Sequence, residues 1–384
     1  MKTIVIISLS QLHRDPRILR QIEFLKDSYN LVAVGLTNPN IKGVEYLEIP
    51  EKPQNNWIFK IIDLVLVLFQ MFDFLYWKQI NIKSLYGKLE KLSPADCIIS
   101  NDVQVLPLAV KLSEIWGCKL ITDLHEFAPL EKTDSLIWKI RFKNYYTSLL
   151  KKYLNKSDVI LTVCNSIKER LKKDFNVEAT VLTNAPYFQD LKPKPVLQDS
   201  IKIIHHGGAM RSRHLNLMIE MMDKLDSRFE LNLMLMESDP GYLGELKLLS
   251  AGKKNIKFLE PVPTTEIAEF INQFDIGLFI LPPVNFNYEI ALPNKFFEFI
   301  QARLCIAIAP SVEMAAISKK YHLGVIANDF TAESMAVSLN KLSAEDIMHY
   351  KSNADKSAIS LSANGNKTLL LCLTNKLLSD TCAE

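Results

Sequence analysis

Glycine is scarce in this chain, with 12 residues in 384. That excludes a collagen-like repeat and argues against a glycine-rich phosphate loop. No G-x-G-x-x-G occurs anywhere, so the dinucleotide fingerprint is missing and a dehydrogenase is disfavoured. An excess of one charge is missing too. Lys and Arg total 45 against 43 Asp and Glu, whereas a dedicated nucleic-acid binder carries a strong basic excess. The six cysteines (Cys97, Cys118, Cys164, Cys305, Cys372, Cys382) are scattered, and no two stand at zinc-ligand spacing. Most lie in apolar runs and read as reduced core thiols of a cytosolic protein. The N-terminal Met1-Lys2-Thr3-Ile4-Val5-Ile6-Ile7 has a short apolar run without a small-residue cleavage site, and reads as a first β-strand, not a signal peptide.

What is present is the composition of a folded globular protein, 48% apolar and 23% charged, long enough for two or three domains. Short apolar runs at 3–8, 31–36, 97–100, 119–123 and 159–163 alternate with helical patterns such as 16–26 and 105–116. Continuous apolar strands separated by helices imply a parallel sheet covered on both faces. A proline-punctuated stretch at 187–200 interrupts the pattern, and a second series follows at 202–206, 231–236, 256–259, 276–281 and 304–309. The expected fold class is α/β, with two Rossmann-like domains facing each other across a cleft. Its expected division is a first domain at 1–188, a linker at 189–200, a second domain at 201–355 and a helical tail at 356–384 that can return to the first domain. Ligands of such sheets bind beyond the carboxyl ends of the strands.

The segment 57–77 is almost entirely apolar. Its polar members Lys60, Asp63, Gln70 and Asp73 fall within about 140° of one another on a helical wheel. Two aspartates and a lysine at mid-bilayer cost about 2.5–3.5 kcal/mol each, so the segment reads as a packed helix or one resting on a membrane surface. Residues 139–156 carry six basic residues, no acidic one and four aromatics. That is either a solvated basic face or a surface for anionic lipid.

Two stretches carry the pattern of a phosphate site. Ile203-Ile204-His205-His206-Gly207-Gly208 runs into Ala209-Met210-Arg211-Ser212-Arg213-His214 and then an amphipathic run at 215–225. Paired glycines ahead of a helix let an anion approach the backbone, and the arginines add permanent charge. The same pattern also marks a tight turn. Further on, Pro293-Asn294-Lys295-Phe296-Phe297-Glu298 opens a helix. Lys295 can neutralise a phosphate and Glu298 can accept from a ribose diol, although an intrahelical Lys–Glu pair gives the same spacing. His205 and His206 read as structural residues flanking the glycines. His125 follows the strand Leu120-Ile121-Thr122-Asp123, where a functional loop begins, and Asp102 ends the preceding strand in the same way.

Pro293-Asn294-Lys295-Phe296-Phe297-Glu298-Phe299 resembles the donor-binding helix of retaining GT-B glycosyltransferases, close to glycosyltransferase family four. Asp15-Pro16-Arg17-Ile18-Leu19-Arg20, Asp123-Leu124-His125-Glu126, Val163-Cys164-Asn165-Ser166 and His206-Gly207-Gly208 with Arg213 resemble further elements of that family, in order, over residues 1 to 335. The resemblance implies a nucleoside-diphosphate sugar held by the second domain. Arg213 and Lys295 would bind the diphosphate and stabilise the departing charge, with Gly207 and Gly208 beneath it. Glu298 would take the ribose, Pro261 and Val262 the base, and Asn294 would support. His125, Glu126, Asp15 and Arg17 would stand on the acceptor side. No metal and no cofactor beyond the donor are expected. The family's first glutamate falls here on Ile290, with Glu289 displaced by one position, and Ser8-Leu9-Ser10-Gln11 replaces its first-domain glycine pair.

The expected protein is a cytoplasmic glycosyltransferase, peripheral on the inner face of the membrane, retaining and metal-independent. It would transfer sugar to a hydroxyl of a lipid-linked or oligosaccharide acceptor in surface polysaccharide or glycolipid synthesis, without nucleic acid as a partner. A nucleotide-sugar epimerase of the same fold and an inert nucleotide-sugar-binding subunit are the alternatives.

Overall fold

The computed structural model describes residues 1–50 and 57–379, the side chains of 57–61 excepted. Cys382, the tail beyond 379 and the side chains of Trp57 and Lys60 therefore lie outside the described residues. The chain divides into two compact units. One is Met1–Leu182 with the chain from Lys367 on, and the other is Thr183–Asn366.

The first unit holds a parallel sheet of β1 (Thr3–Ile7), β2 (Asn30–Gly35), β3 (Glu45–Glu48), β4 (Cys97–Asn101), β5 (Lys119–Leu124), β6 (Val159–Thr162) and β7 (Thr180–Val181). Their order is β3-β2-β1-β4-β5-β6-β7. β1 lies between β2 and β4, with Val5 paired to both Val32 and Ile98. The central strands are buried along almost their whole length, which is why their sequences run apolar without alternation. The second unit repeats the plan with β8 (Ile201–Ala209), β9 (Phe229–Glu237), β10 (Ile256–Leu259), β11 (Ile276–Phe279), β12 (Cys305–Ile308) and β13 (Gly324–Ile326). Its order is β10-β9-β8-β11-β12-β13, again parallel. In each sheet the winding direction reverses once, between β1 and β4 and between β8 and β11. Connecting loops part there and leave room for a ligand at the carboxyl edge.

Several expected elements change. The stretch 57–77 is two helices, Trp57–Leu68 and Phe72–Trp77. The chain turns between them, with Gln70 in the left-handed region (φ 54°) and Met71 N–H donating to Leu66 O at 2.8 Å. Two residues of the polar stripe are held by opposite charges. Asp63 pairs with Lys78 and Arg141, and Asp73 with Lys152 and the Tyr153 hydroxyl, so the 57–77 and 139–156 segments pack together through opposite charges. None of the helices in the described residues is long and apolar enough to cross a membrane. The expected linker belongs to the second unit, because buried side chains bind its backbone: Gln301 accepts from Gln189 N–H, Arg303 donates to Gln189 O, and Asn272 donates to Lys192 O. The expected tail is the end of the helix Ala344–Ser357 followed by a second helix, Ala363–Ser379. The latter joins the first unit beyond Lys367, with Asn375 bonded to the Tyr29 hydroxyl and Leu378 O to Lys2. Cys372 is exposed rather than a core thiol, while Cys97, Cys164 and Cys305 are buried.

Candidate functional site

In the second unit, strand β8 continues through His205, His206, Gly207 and Gly208 to Ala209. The glycines are thus strand residues rather than a turn before a helix. A short 3₁₀ turn, Arg211–Arg213, follows, and the next helix, Asn216–Met221, starts later and ends sooner than the 215–225 expected. The anion-favouring feature is therefore not a helix start but a bare backbone facing two cations. A Cβ placed on Gly207 would stand 3.1 Å from Lys295 Nζ and 3.8 Å from Arg213 Nη1. One on Gly208 would stand 2.5 Å from Ser238 Oγ and 3.8 Å from Arg213 Nη1. Gly207 also has φ 127°, a conformation that side chains disfavour. Arg213 donates to Gly208 O at 3.3 Å.

Lys295 comes from the helix Asn294–Gln301, which follows β11 and begins after Pro293. Its aliphatic stem is buried, and its ammonium lies 3.3 Å from His205 Nε2 and 4.4 Å from the centre of the Phe279 ring. His205 Nδ1 stands 2.8 Å from Leu278 O. A proton on Nδ1 satisfies that carbonyl and leaves Nε2 to accept from Lys295. Burial, then the charge of Arg213, pushes the Lys295 pKa well below its usual 10.5. Burial and the Lys295 charge likewise hold His206 down to about 3, so its ring is neutral at physiological pH. Its Nε2 lies 3.4 Å from the Glu298 carboxylate, which is itself buried. Asn294 Oδ1 is buried without a hydrogen-bond partner among the described residues, an acceptor suited to a ligand hydroxyl.

The remaining second-unit candidates lie on neighbouring loops. Pro261 and Val262 follow β10 at the same carboxyl edge, Pro261 exposed and Val262 half-buried. Glu289 closes the short helix Phe286–Glu289 with its side chain exposed, while Ile290 is buried. Ser311 Oγ donates to Glu289 O, and Ser212 is bonded to the Tyr288 hydroxyl at 2.9 Å. Arg211, a neighbour of Arg213 in sequence, turns outward to Glu245.

In the first unit, two residues of the acceptor-side reading, Arg17 and His125, converge on the buried Asp123. Arg17 grips Asp123 by two hydrogen bonds, at 2.7 and 2.6 Å, and donates to Leu182 O. Its guanidinium is buried and faces inward. Asp15 caps the helix Pro16–Leu25, accepting from Arg17 N–H and Ile18 N–H. Gln21 bridges Asp123 and Asn101. Against burial, which alone would raise it, Arg17 and then His125 hold the Asp123 carboxyl far below the usual range. His125 Nε2 lies 3.1 Å from Asn101 Oδ1 and 3.6 Å from Asp123 Oδ2, and Nδ1 lies 3.4 Å from Asp102 Oδ2. Asp102, in the left-handed region at φ 66°, also accepts from His125 N–H. Burial opposes charge on the imidazole, but Asp102 and Asp123 outweigh it and raise its pKa. The Glu126 carboxyl is reached by solvent yet crowded by protein. That desolvation, with the charges of Glu131 and Asp102, pushes it up to about 7.

Sequence reasoning missed the partners that aim these groups: His205 behind Lys295, Ser238 beside Gly208, and Asp123, Asn101 and Gln21 behind His125. Asp123 and Asn101 stand at the carboxyl ends of β5 and β4 and Gln21 on the helix Pro16–Leu25, whereas His205 lies midway along β8 and Ser238 just past β9. The strand-end signal marks Asp123 and Asn101 and is lacking for His205.

No family model matches this sequence, and no curated protein does. Solved structures do match across the chain. A sucrose-phosphate synthase from Thermosynechococcus elongatus aligns with a TM-score of 0.75 at 10% identity, covering 99% of this chain and all of that one. HepE of Anabaena, solved in complex with UDP-glucose, aligns with a TM-score of 0.72 at 10% identity, over 98% of this chain and all of that one. A glycosyltransferase from Rickettsia africae aligns with a TM-score of 0.70 at 13% identity, over 99% of both chains. The fold is that of the GT-B glycosyltransferases, two Rossmann-like α/β domains in one chain, as the sequence resemblance implied.

Proposed function

We propose that this protein transfers a sugar from a nucleoside-diphosphate donor to a hydroxyl acceptor. The observation that carries the reading is the stretch of side-chain-free backbone at Gly207–Gly208, faced by Lys295 and Arg213. Bare backbone beside two cations suits a diphosphate. The two cations would hold the diphosphate and take up the negative charge that grows as the bond between the anomeric carbon and the phosphate oxygen breaks. The acceptor oxygen then bonds to that carbon and its hydroxyl proton is released. With two fixed cations this step needs no metal. The buried Glu298 and Asn294 are assigned to the ribose, the Pro261–Val262 loop to the base, and Glu289 to the outer rim of the sugar pocket. The UDP-glucose bound by HepE makes uridine diphosphate sugars the first donors to try. On the acceptor side we assign His125, oriented by Asp102, together with Glu126; retention of configuration follows from the family resemblance alone.

A membrane acceptor fits the first unit. Leu68, Phe69 and Phe74 are 66%, 74% and 58% exposed, and Leu136 and Ile137 are 71% and 78% exposed beside the basic residues Lys139 and Lys143. Exposed apolar side chains with cations beside them suit an anionic lipid interface, and on that reading we assign the enzyme to the cytoplasmic face of a membrane and to polysaccharide or glycolipid assembly. The test is product analysis with labelled UDP-sugars, first alone and then with a membrane lipid extract. A labelled lipid formed only with the extract supports transfer. An altered sugar formed from donor alone would mean an epimerase, and no turnover with any donor would leave a binding subunit.

A further inference from the structure

A cavity of about 690 Å³ lies within the first unit, lined by residues of the 57–77 helices, the 139–146 segment and the loops that follow β1 to β4. That volume is in the range of small-molecule sites. Its walls are mainly apolar, with Ile49, Ile62, Phe74, Leu75, Ile82 and Phe142 among them. Three charged residues line it: Lys78, Arg141 and Asp63. Asp63 pairs with both cations, so the cavity carries one positive charge in excess. Asn81 Oδ1, also on the lining, is buried without a hydrogen-bond partner among the described residues.

The apolar wall does not end inside. Ile62, Phe74 and Ile80 line the cavity and are also 40%, 58% and 59% exposed, so its apolar wall reaches the surface, where Leu68, Phe69 and Met71 of the same segment are exposed as well. Gln104, two residues beyond Asp102, is on the lining as well. The cavity thus opens along the same carboxyl sheet edge that carries the Asp102–His125 pair.

We propose that this cavity receives the lipid end of the acceptor, an amphiphile whose saturated or isoprenyl chain is joined through a phosphate to the group that carries the acceptor hydroxyl. The chain lies along the aliphatic and aromatic wall and continues over the exposed apolar surface, while Arg141 and Lys78 take the phosphate, whose charge matches the excess. The alternative occupants fit less well. A sugar alone leaves the long apolar wall dry and unpaired, and a neutral lipid leaves the cationic excess unanswered. The proposal rests on the reading of the first unit as the acceptor side.

The experiment is calorimetric titration of the full chain with farnesyl phosphate and with dodecyl phosphate, below their aggregation thresholds, beside farnesol and inorganic phosphate. The expected result is saturable one-to-one binding of at least one chain phosphate, weakened tenfold or more by Ile62→Trp, which fills the wall, and by Arg141→Ala. Farnesol and inorganic phosphate are each expected to bind at least tenfold more weakly. A preference between the two chain phosphates identifies the chain as isoprenyl or saturated. Ile80→Glu, at an exposed lining position, replaces Ile62→Trp if that variant fails to fold. No saturable binding by either chain phosphate, or affinities unchanged in the folded variants, would overturn the proposal. Stabilisation by UDP, GDP, ADP or CDP, read on the same preparations, keeps the two readings apart. Nucleotide binding without lipid binding sinks only this cavity, and lipid binding with no response to any of the four nucleotides sinks only the transferase reading.

Discussion

Lys295 offers a perturbation with two signatures of opposite sign. In the ligand-free protein its pKa sits well below 10.5, because burial and then Arg213 oppose its charge. A diphosphate placed on the Gly207–Gly208 backbone brings compensating negative charge and raises that pKa. Binding therefore takes up protons, up to one per site, wherever the pH lies between the free and bound values. Over that window the affinity should strengthen as pH falls, by about tenfold per unit at its steepest. UDP-glucose is the ligand of choice, since the phosphate ionisation near pH 6 belongs to terminal phosphates such as that of UDP. Calorimetry in two buffers of different ionisation enthalpy counts the protons directly. Lys295→Met keeps the apolar stem and removes the charge, so it should abolish the uptake and weaken binding about 10- to 150-fold, the loss of one charge-assisted hydrogen bond at about 1.5–3 kcal/mol. The ligand-free protein should respond in the other direction. A lysine whose folded pKa is lowered costs stability at low pH, and that cost is relieved as pH rises through the lowered value toward 10.5. Wild type should therefore gain stability over that interval and Lys295→Met should not, while melting no lower than wild type at pH 7. Zero proton uptake by wild type, or equal uptake by the methionine variant, would refute the reasoning.

Three further expectations follow from single contacts. Gly207→Ala puts a Cβ 3.1 Å from Lys295 Nζ in a left-handed backbone, and should lose nucleotide stabilisation in a thermal-shift assay while Gly244→Ala, at an open helical position, keeps it. Arg17→Ala strips a buried carboxylate of its partner and should cost about 3–5 kcal/mol in chemical denaturation; a loss under 1 kcal/mol would mean Asp123 is not held as described. The raised pKa of His125 depends on Asp102 before Asp123, so Asp102→Asn should lower it in an NMR titration. Because a raised histidine pKa stabilises the fold below the ordinary 6.5 and that stabilisation fades as pH climbs through the raised value, the variant should lose stability chiefly at acid pH.

Much of this architecture is written in burial. Strands covered on both faces, such as Ile4-Val5-Ile6-Ile7 and Cys305-Ile306-Ala307-Ile308, announce themselves as apolar runs. The edge strands Glu45–Glu48, Thr180–Val181 and Gly324–Ile326 are short and half-exposed, the first two partly polar, and no pattern marks them. The break at Phe69–Met71 was hidden because all but one of the residues around it are apolar and no proline or glycine signals the turn. The opposite-charge pairing of the 57–77 and 139–156 segments is a long-range contact that neither segment shows alone. That Lys295 and Arg213 stand together beside Gly207 and Gly208 was legible from the motifs. What was not legible was that the glycines are strand rather than turn, which follows from Gly207 pairing onto Leu235 of β9. The Arg17 contact was hidden for a related reason: a motif names a residue, but only the fold shows that its guanidinium points inward to Asp123.

The central claim is that the carboxyl edge of the second sheet binds a nucleoside diphosphate through Lys295. The most direct test is a thermal-shift panel of UDP, GDP, ADP and CDP against wild type and Lys295→Met. One nucleotide at about 100 times its dissociation constant should stabilise wild type by about 2.7 kcal/mol, and the shift should vanish or shrink sharply in the variant. No shift with any of the four, or an equal shift in both proteins, would contradict the account.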